Sequence, residues 1–416
     1  MIIDITRLIG RTLKGYQPTG IDRVCIEYLS YFRDKTKTSL FLFNRLWVIN
    51  ERLSTLLIDK IVSSDKEGLK KVLPLIPFNL TDSVEGELFF NLSHSGGLEK
   101  ENYSKVLKKY NLKSVFMVHD LIPLEHPELV RDKENQKHKT RIENILALHD
   151  LILVNSYQTK QKLIEYAEDN LKLPVDIKKI EVNYLGLSSK FIETPDIDFS
   201  YVKEKFNLKD KYFVVLSTIE PRKNHLILFY AWKALHSLLK ERTPQLVLIG
   251  RRGWENEQVI DFIERSSISN FIREIGLCND LELKALLKNS QALLMPSIDE
   301  GFGLPVLEAI MLDIPVICSN ISTFVELFKD IPIYCNWNDA SDWVDTVLQI
   351  LMKSKDSFIA EQIQRKKRNL KYIGKYSWNY HFYKLREALL DHSLIDSTEE
   401  IFAKEVNKGF VLSEQH

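Results

Sequence analysis

The sequence predicts an α/β chain built from two doubly wound parallel sheets. Short β-branched or aromatic runs alternate with longer helical patterns almost from end to end, which is the rhythm of parallel βαβ units. The runs fall into two series, parted by a Ser-, Pro- and Asp-rich stretch without periodicity. A length of 416 residues with 44% hydrophobic content is enough for two ordinary domains, each with its own core.

In the first series, strands are expected near 2–6, 39–44, 87–91, 114–118 and 150–155, with helices such as IDRVCIEYLSYF and SYQTKQKLIEYAE between them. The second series runs through YFVVLST (212–218), QLVLIG (245–250), FIREIG (271–276), QALLMPS (291–297), IPVICS (314–319) and IPIYCN (331–336). Helices of 3.6-residue period separate these runs. A linker is expected around 186–205, which gives a first domain at 1–195 and a second at 196–375. Residues 376–416 read as a helix packing back toward the first domain, followed by a polar tail.

Charge and cysteine usage narrow the function classes. Lys+Arg and Asp+Glu both total 57, so no overall basic field marks a dedicated nucleic-acid binder, and no nucleic-acid partner is expected. Cys25, Cys278, Cys318 and Cys335 form no CxxC pair, which suggests neither a zinc site nor a disulfide framework and fits a reducing cytosol. Asp4 and Arg7 interrupt the apolar N-terminus, and no uninterrupted run approaches the roughly 20 apolar residues of a membrane span. The expectation is a soluble cytoplasmic protein that is not exported.

Two doubly wound sheets bind ligands at the carboxyl ends of their strands, so the expected site is a cleft where the halves face each other. The stretch DEGFGLPVLEAI (299–310) lies in such a loop. After a buried strand the chain turns through Gly301, Phe302 and Gly303, and past Leu304 the residue Pro305 is expected at the first position of a helix, where its missing N–H costs nothing. The free amides and positive dipole end of that helix suit a phosphate, and the glycines permit close backbone approach. Glu300 before the turn and Glu308 after it repel a bare polyphosphate but suit a ligand with hydroxyls on both sides of its phosphates, such as a nucleotide sugar. The plain alternative is a surface carboxylate at 300 and a dipole-favoured one at 308.

The loop STIEPRKNH (217–225) opens the second half in the same way, with Arg222 and Lys223 placed to neutralise a departing diphosphate. In the first half, RLIGRTLKGYQPTGIDRV (7–24) reads as a long loop with Gly10, Gly15, Pro18 and Gly20 at turns. SHSGG (93–97) reads as either a polar cleft wall or a plain turn. KENYSKVLKKYNLK and RDKENQKHKTR read as solvated helix faces which, if aligned on one surface, would hold the protein against anionic lipid at the inner face of the membrane.

These residues resemble a known family. EGFGLPVLE looks like the E-x7-E element of retaining glycosyltransferases of the GT-B fold, and TIEPRKN is similar to the donor loop of glycosyltransferase family 4, in particular its bacterial mannosyltransferase-like members. VHDLIP (118–123) and YSW (376–378) extend the resemblance along most of the chain. It implies two Rossmann-like domains facing across a cleft. It further implies that Glu300 contacts the donor hexose, Glu308 the nucleotide ribose and Lys223 the diphosphate. The turn at Gly301, Phe302, Gly303 and Leu304 would belong to the donor site. Many members carry an arginine in a GR pair about six residues before the lysine. Ser217 and Thr218 stand there instead, so Arg222 or Arg251 is expected to supply the second cation beside Thr218. His119 matches the histidine that reaches the transferred sugar, with Asp120 either orienting the imidazole or capping the next turn. The 7–24 loop would close over the donor phosphates at Gly20, and Arg7 or Arg23 would meet an anionic acceptor.

The implied activity is retaining transfer of a hexose from a sugar nucleotide, GDP-mannose before a UDP-hexose, to a saccharide or lipid-linked saccharide in bacterial capsule or O-antigen assembly. No aspartate-rich DxD element stands at a strand end, so catalysis without a bound metal or cofactor is expected. Three other readings stand beside it. One is a sugar-nucleotide epimerase of the same architecture. Another is a nicotinamide oxidoreductase, weakened because no GxGxxG follows the first strand. The third is a catalytically silent glycan-binding module.

Overall fold

The structure is a computed structural model. It describes the chain except residues 82, 95–96, 173–175, 354, 397–401 and 403–416, and the side chains of 189 and 190. The chain divides into two compact units. The first comprises Met1–Glu125, Asp132–Gly186 and the C-terminal stretch from Trp378, and the second comprises His126–Arg131 and Leu187–Ser377.

The first unit holds β1 (Ile2–Asp4), β2 (Lys37–Leu42), β3 (Arg45–Ile49), β4 (Leu88–Asn91), β5 (Lys113–Val118), β6 (Leu151–Val154) and β7 (Ile180–Val182). They form one sheet in the order β3-β2-β1-β4-β5-β6-β7, parallel except for β3. The segments LFFN and LILV are buried at every position, as the central strands of a sheet covered on both faces must be. β2 and β3 are joined through Phe43 and Asn44, both with left-handed φ (51° and 57°), as a two-residue hairpin turn requires. The strand expected over 39–44 therefore ends before the turn, and its return strand is an addition. β7, only three residues long, carries too little pattern to be seen in advance.

The expected long loop at 7–24 is mostly helix. Thr6–Leu13 forms one because the Asp4 carboxylate accepts hydrogen bonds from Thr6 N (3.2 Å) and Thr6 Oγ1 (2.9 Å) while Leu8 and Ile9 turn inward. Gly10 lies in this helix with open space around its Cβ position, so it marks no turn. The turn chemistry is confined to 14–19, and the next helix, Gly20–Tyr31, starts where Asp22 accepts from both Thr19 N and Thr19 Oγ1 at 2.7 Å.

The C-terminal helix Trp378–Asp391 belongs to the first unit. Its anchor is His381, fully buried. Nδ1 lies 2.8 Å from the Tyr184 carbonyl, which can only accept, so Nδ1 carries the proton and Nε2 receives the Tyr28 hydroxyl at 2.7 Å. Burial pushes the His381 pKa down to about 4, keeping this relay neutral. Phe382 stacks on Tyr31 at 3.8 Å beside it. The polar tail expected beyond this helix lies almost wholly outside the described residues.

The second unit holds β8 (Tyr212–Leu216), β9 (Gln245–Ile249), β10 (Ile272–Ile275), β11 (Leu293–Met295), β12 (Val316–Ser319) and β13 (Ile333–Cys335). All six are parallel, in the order β10-β9-β8-β11-β12-β13, around a core with Phe213, Phe229, Trp232 and Trp343. The linker expected at 186–205 contains two helices, Ser189–Glu193 and Phe199–Phe206, and is tied into this unit. Lys284 donates to the carbonyls of Ile192 (2.9 Å) and Thr194, and Lys288 pairs with Asp196 at 2.7 Å. The units therefore part at Gly186/Leu187 rather than at 195/196, because these tertiary contacts override the loop-like composition.

Each sheet reverses its winding once, between β1 and β4 in the first and between β8 and β11 in the second, and a ligand site is expected at the carboxyl ends of those strands. Beyond β8 and β9 the two chains continue side by side, Ser217 N bonding to Ile249 O and Ile219 N to Arg251 O at 3.0 Å each. Gly250 makes this possible. Its φ is 145°, and a Cβ there would fall 2.0 Å from the Ser217 carbonyl oxygen, a backbone atom with no freedom to withdraw. Gly250→Ala is expected to destabilise the protein by about 2 kcal/mol or more. Urea unfolding checks this, and a midpoint equal to that of the parent refutes the packing argument.

Candidate functional site

The second unit's reversal point carries a buried ion cluster. The loop after β8 runs through the one-turn helix Pro221–Lys223 into the helix His225–Leu239, and the loop after β11 runs from Pro296 to Gly303. Ile298 N donates to Arg222 O at 3.0 Å, and the Asn224 side chain donates to Pro296 O at 3.2 Å and Trp337 O at 2.7 Å. Asn224 reaches both from a left-handed conformation (φ 53°) that asparagine adopts more readily than most residues.

Glu300, 9% exposed, sits between the two cations. One carboxylate oxygen, Oε2, accepts from Arg222 Nη1 at 2.8 Å, while Oε1 accepts from Ser297 Oγ at 2.8 Å and from Lys223 Nζ. Arg222 also donates to Glu220 Oε1 (2.8 Å) and to the Asp299 carbonyl (3.1 Å), so its planar fork is anchored at three points. Burial alone would raise the Glu300 pKa, but the charges of Arg222 and then Lys223 outweigh it and hold the group at about 2. Burial and the neighbouring Arg222 charge push Lys223 down from its ordinary value. His225 at the next helix start is driven to about 3 by burial and by Lys223, so it is neutral, with its Nε2 3.2 Å from Ser217 Oγ.

The turn after Glu300 ends at Gly303, whose φ of 98° begins the helix Leu304–Met311. A Cβ on Gly303 would lie 2.5 Å from the Phe324 ring, so both conformation and space demand glycine. Leu304, not Pro305, is the first helical residue. The proline at the second position still costs nothing, because its N–H belongs to the four that have no partner inside the helix. Gly301 and Phe302 are buried, the Phe302 ring standing edge-on to Tyr376 at 5.7 Å, and Glu308 lies buried in the helix itself. Thr218 and Arg251 stand on the paired loops after β8 and β9. Arg222, expected as a diphosphate cation, spends its fork on Glu220 and Glu300.

The remaining expected residues lie in the first unit. His119 follows β5 and is almost fully buried. Its Nε2 is 2.7 Å from the Leu92 carbonyl, which fixes the proton there and leaves Nδ1 as an acceptor in the neutral ring. Burial lowers its pKa, as it does those of His94 and His138, and the His94 ring lies 5.2 Å from each of the other two. Asp120 caps the next turn, accepting from Ile122 N at 3.3 Å, and its main-chain carbonyl meets His138 Nε2 at 3.2 Å. Arg7 is held by Asp22 (2.8 Å), which also binds Arg11 at 2.6 Å. Gly20 opens its helix in an exposed position, and Arg23 lies one turn into that helix.

Thus Glu300, Lys223 and Arg222 meet directly. Thr218, Arg251, Gly301, Phe302, Gly303, Leu304 and Glu308 share their unit, whereas His119, Asp120, Arg7, Gly20 and Arg23 belong to the other. Glu220 and Ser297 were not anticipated, although each stands two or three residues from a residue that was. His94 lies in the SHSGG stretch, of which residues 95–96 are outside the described residues.

Residues 196–369 match the family described as Glycosyl transferases group 1. Over 270 residues the chain is 28% identical to the O-antigen chain mannosyltransferase B of Escherichia coli, covering 64% of this chain and 67% of that protein. It is also 28% identical over 275 residues to the Escherichia coli serotype-specific mannosyltransferase WbdA, of which the match spans only 32%. The O-antigen chain mannosyltransferase RfbU of Salmonella typhimurium is 27% identical over 241 residues, with 56% of this chain and 59% of that protein covered. Among solved structures, Anabaena HepE in complex with UDP-glucose superposes with a TM-score of 0.66 at 15% identity, covering 94% of this chain and 99% of HepE. That likeness speaks to the fold. Residues 196–369 are thus similar to the glycosyl transferases group 1 family, and the two parallel-sheet units share the GT-B type of fold.

Proposed function

We propose that the protein is a retaining hexosyltransferase that moves mannose from GDP-mannose, or in second place a hexose from a UDP-sugar, onto a saccharide acceptor in O-antigen or capsule assembly. The observation that carries the reading is the buried Glu300–Lys223–Arg222 cluster at the reversal point of the second sheet, beside the start of the helix Leu304–Met311. The mannosyltransferase names of the relatives support the sugar.

In this reading the donor diphosphate lies over the loop carrying Lys223 and the helix start after Gly303. As the bond to the sugar breaks, negative charge grows on the diphosphate. Lys223 and the free helix amides stabilise it, and because Glu300 already holds Lys223, that cation needs little reorganisation during the reaction. Glu300 orients the hexose through its hydroxyls, since each carboxylate oxygen accepts more than one hydrogen bond. Glu308 takes the ribose. His119 Nδ1 accepts from a sugar hydroxyl. The acceptor hydroxyl attacks the face the diphosphate leaves, and a phosphate oxygen takes its proton. The charge work falls to protein cations, so the reading includes catalysis without a bound metal. No helix among the described residues is long and apolar enough to cross a membrane.

Thermal shift against nucleotide diphosphates and sugar nucleotides tests the donor class, because a ligand of the folded state raises Tm. A GDP- or UDP-dependent rise is expected, and a flat response across the panel removes the donor reading. Lys223→Ala is expected to weaken GDP or UDP binding roughly 10- to 100-fold by calorimetry. Glu300→Gln is expected to cut kcat by roughly 10²- to 10³-fold with the fold intact, and near-normal turnover takes Glu300 out of the site. Activity is expected to survive EDTA, and loss rescued by a divalent ion refutes metal independence.

Acid titration isolates the ion cluster. The Glu300 pKa falls from an ordinary 4.5 to about 2 on folding, so its contribution to stability is complete above 4.5 and disappears as pH falls through about 2. The stability gap between the parent and Glu300→Gln is therefore expected to narrow from pH 5 to pH 2 in urea unfolding. A gap independent of pH contradicts the pairing.

A further inference from the structure

The first unit contains a cavity of about 630 Å³ near the carboxyl ends of β1 and β4. Arg7, Lys100, Lys137 and Arg141 line it against a single carboxylate, Glu99. In a chain whose charges balance at 57 of each sign, that is a local concentration, not a reflection of composition. Arg7 shares Asp22 with Arg11, and Arg141 is paired with Glu134. Lys100 and Lys137 stand on the exposed rim and form no ion pair with a described residue. Lys137 and Arg141 are four apart on the helix Glu134–Leu148, a like-charge spacing that costs a few tenths of a kcal/mol unless an anion relieves it. The Arg141 Nε is also buried without a hydrogen-bond partner, and the residue lines the cavity.

The other wall is aromatic. Phe41 is packed so closely on Gly97 that a Cβ there would fall 2.2 Å from the ring. Phe43, at the hairpin tip, is 90% exposed and holds a left-handed φ of 51°. An apolar ring in water, at a turn position that favours Asn, Asp or Gly, is costly on both counts. It presents a flat face for the C–H surface of a sugar ring. His94 also lines the cavity, and its Nε2 accepts the His119 N–H at 3.2 Å, which links this wall to the histidine assigned to the transferred sugar.

We propose that this cavity binds the acceptor and that the acceptor is a phosphorylated saccharide, with its phosphate on Lys100, Lys137 and Arg141 and a sugar ring on Phe43. Naming the ligand as acceptor rests on the glycosyl-transfer reading above; the binding chemistry does not. Lys100 and Lys137 thereby leave the class of plain solvated helix residues expected of the two basic stretches.

Calorimetry with mannose 1-phosphate, inorganic phosphate and glucuronic acid tests it on the full chain. Mannose 1-phosphate binding is expected to weaken at least tenfold in the double variant Lys100→Ala/Lys137→Ala and in Phe43→Ala, and to be unchanged in Lys223→Ala. Inorganic phosphate binding is expected to weaken in the lysine variant alone. All three substituted residues are exposed, and a retained Tm verifies folding. Sugar phosphate affinity indifferent to the lysine pair overturns the site, and glucuronic acid binding as tightly as mannose 1-phosphate overturns the phosphate assignment. The Tm response to GDP and UDP in the same preparations reports separately on the donor reading. That response intact beside a failed cavity sinks only this proposal, and its absence beside a phosphate-binding cavity sinks only the donor assignment.

Discussion

A buried carboxylate between two cations organises the second unit. Glu300 is removed from water, and an ionised carboxylate there is tolerated only because Arg222, Lys223 and Ser297 satisfy it. The bonds from Arg222 and Lys223 join the loop after β8 to the loop after β11, so this charge cluster holds the two halves of the reversal point together. Glu220 completes the arrangement by taking the second arm of Arg222. The cost of leaving any member unpaired is what keeps the others in position.

Glycine supplies the room this cluster needs. Gly250 lets the β9 loop lie against Ser217, and Gly303 lets the 301–304 turn close on Phe324. Both hold φ values that other residues rarely adopt, and both adjoin loops that carry site residues. The fold and the site are thus one packing problem at these two positions.

The first unit uses the same sheet plan with different chemistry at its strand ends. His94, His119 and His138 are buried there and pushed toward neutrality, while charge sits further out, on Arg7, Lys100, Lys137 and Arg141 around the cavity. Neutral, hydrogen-bonded imidazoles suit contact with sugar hydroxyls, and exposed lysines suit an anion arriving from water. Conversely, the second unit holds Arg222 and Lys223 half-buried against the carboxylates of Glu220 and Glu300.

Most of this architecture was legible in the sequence, because parallel strands buried on both faces appear as unbroken apolar runs and the helices between them keep a 3.6-residue period. The Glu–glycine turn–Pro–Glu pattern and the Arg222-Lys223 pair were legible for the same reason: local turn and helix-start chemistry is written in adjacent residues. What depends on distance along the chain was not. Thr6–Leu13 reads as a loop until the buried face at Leu8 and Ile9 and the Asp4–Thr6 hydrogen bonds outweigh Gly10. The 186–205 stretch looked like a linker until Lys284 and Lys288 drew it into the second unit. Sequence alone determined the fold class and the residue types at the strand ends. Only the tertiary structure decided that Arg222 binds Glu300 and that Lys100, Lys137 and Arg7 share one cavity, because side chains from separate loops become partners only once the sheet order has brought their strands together.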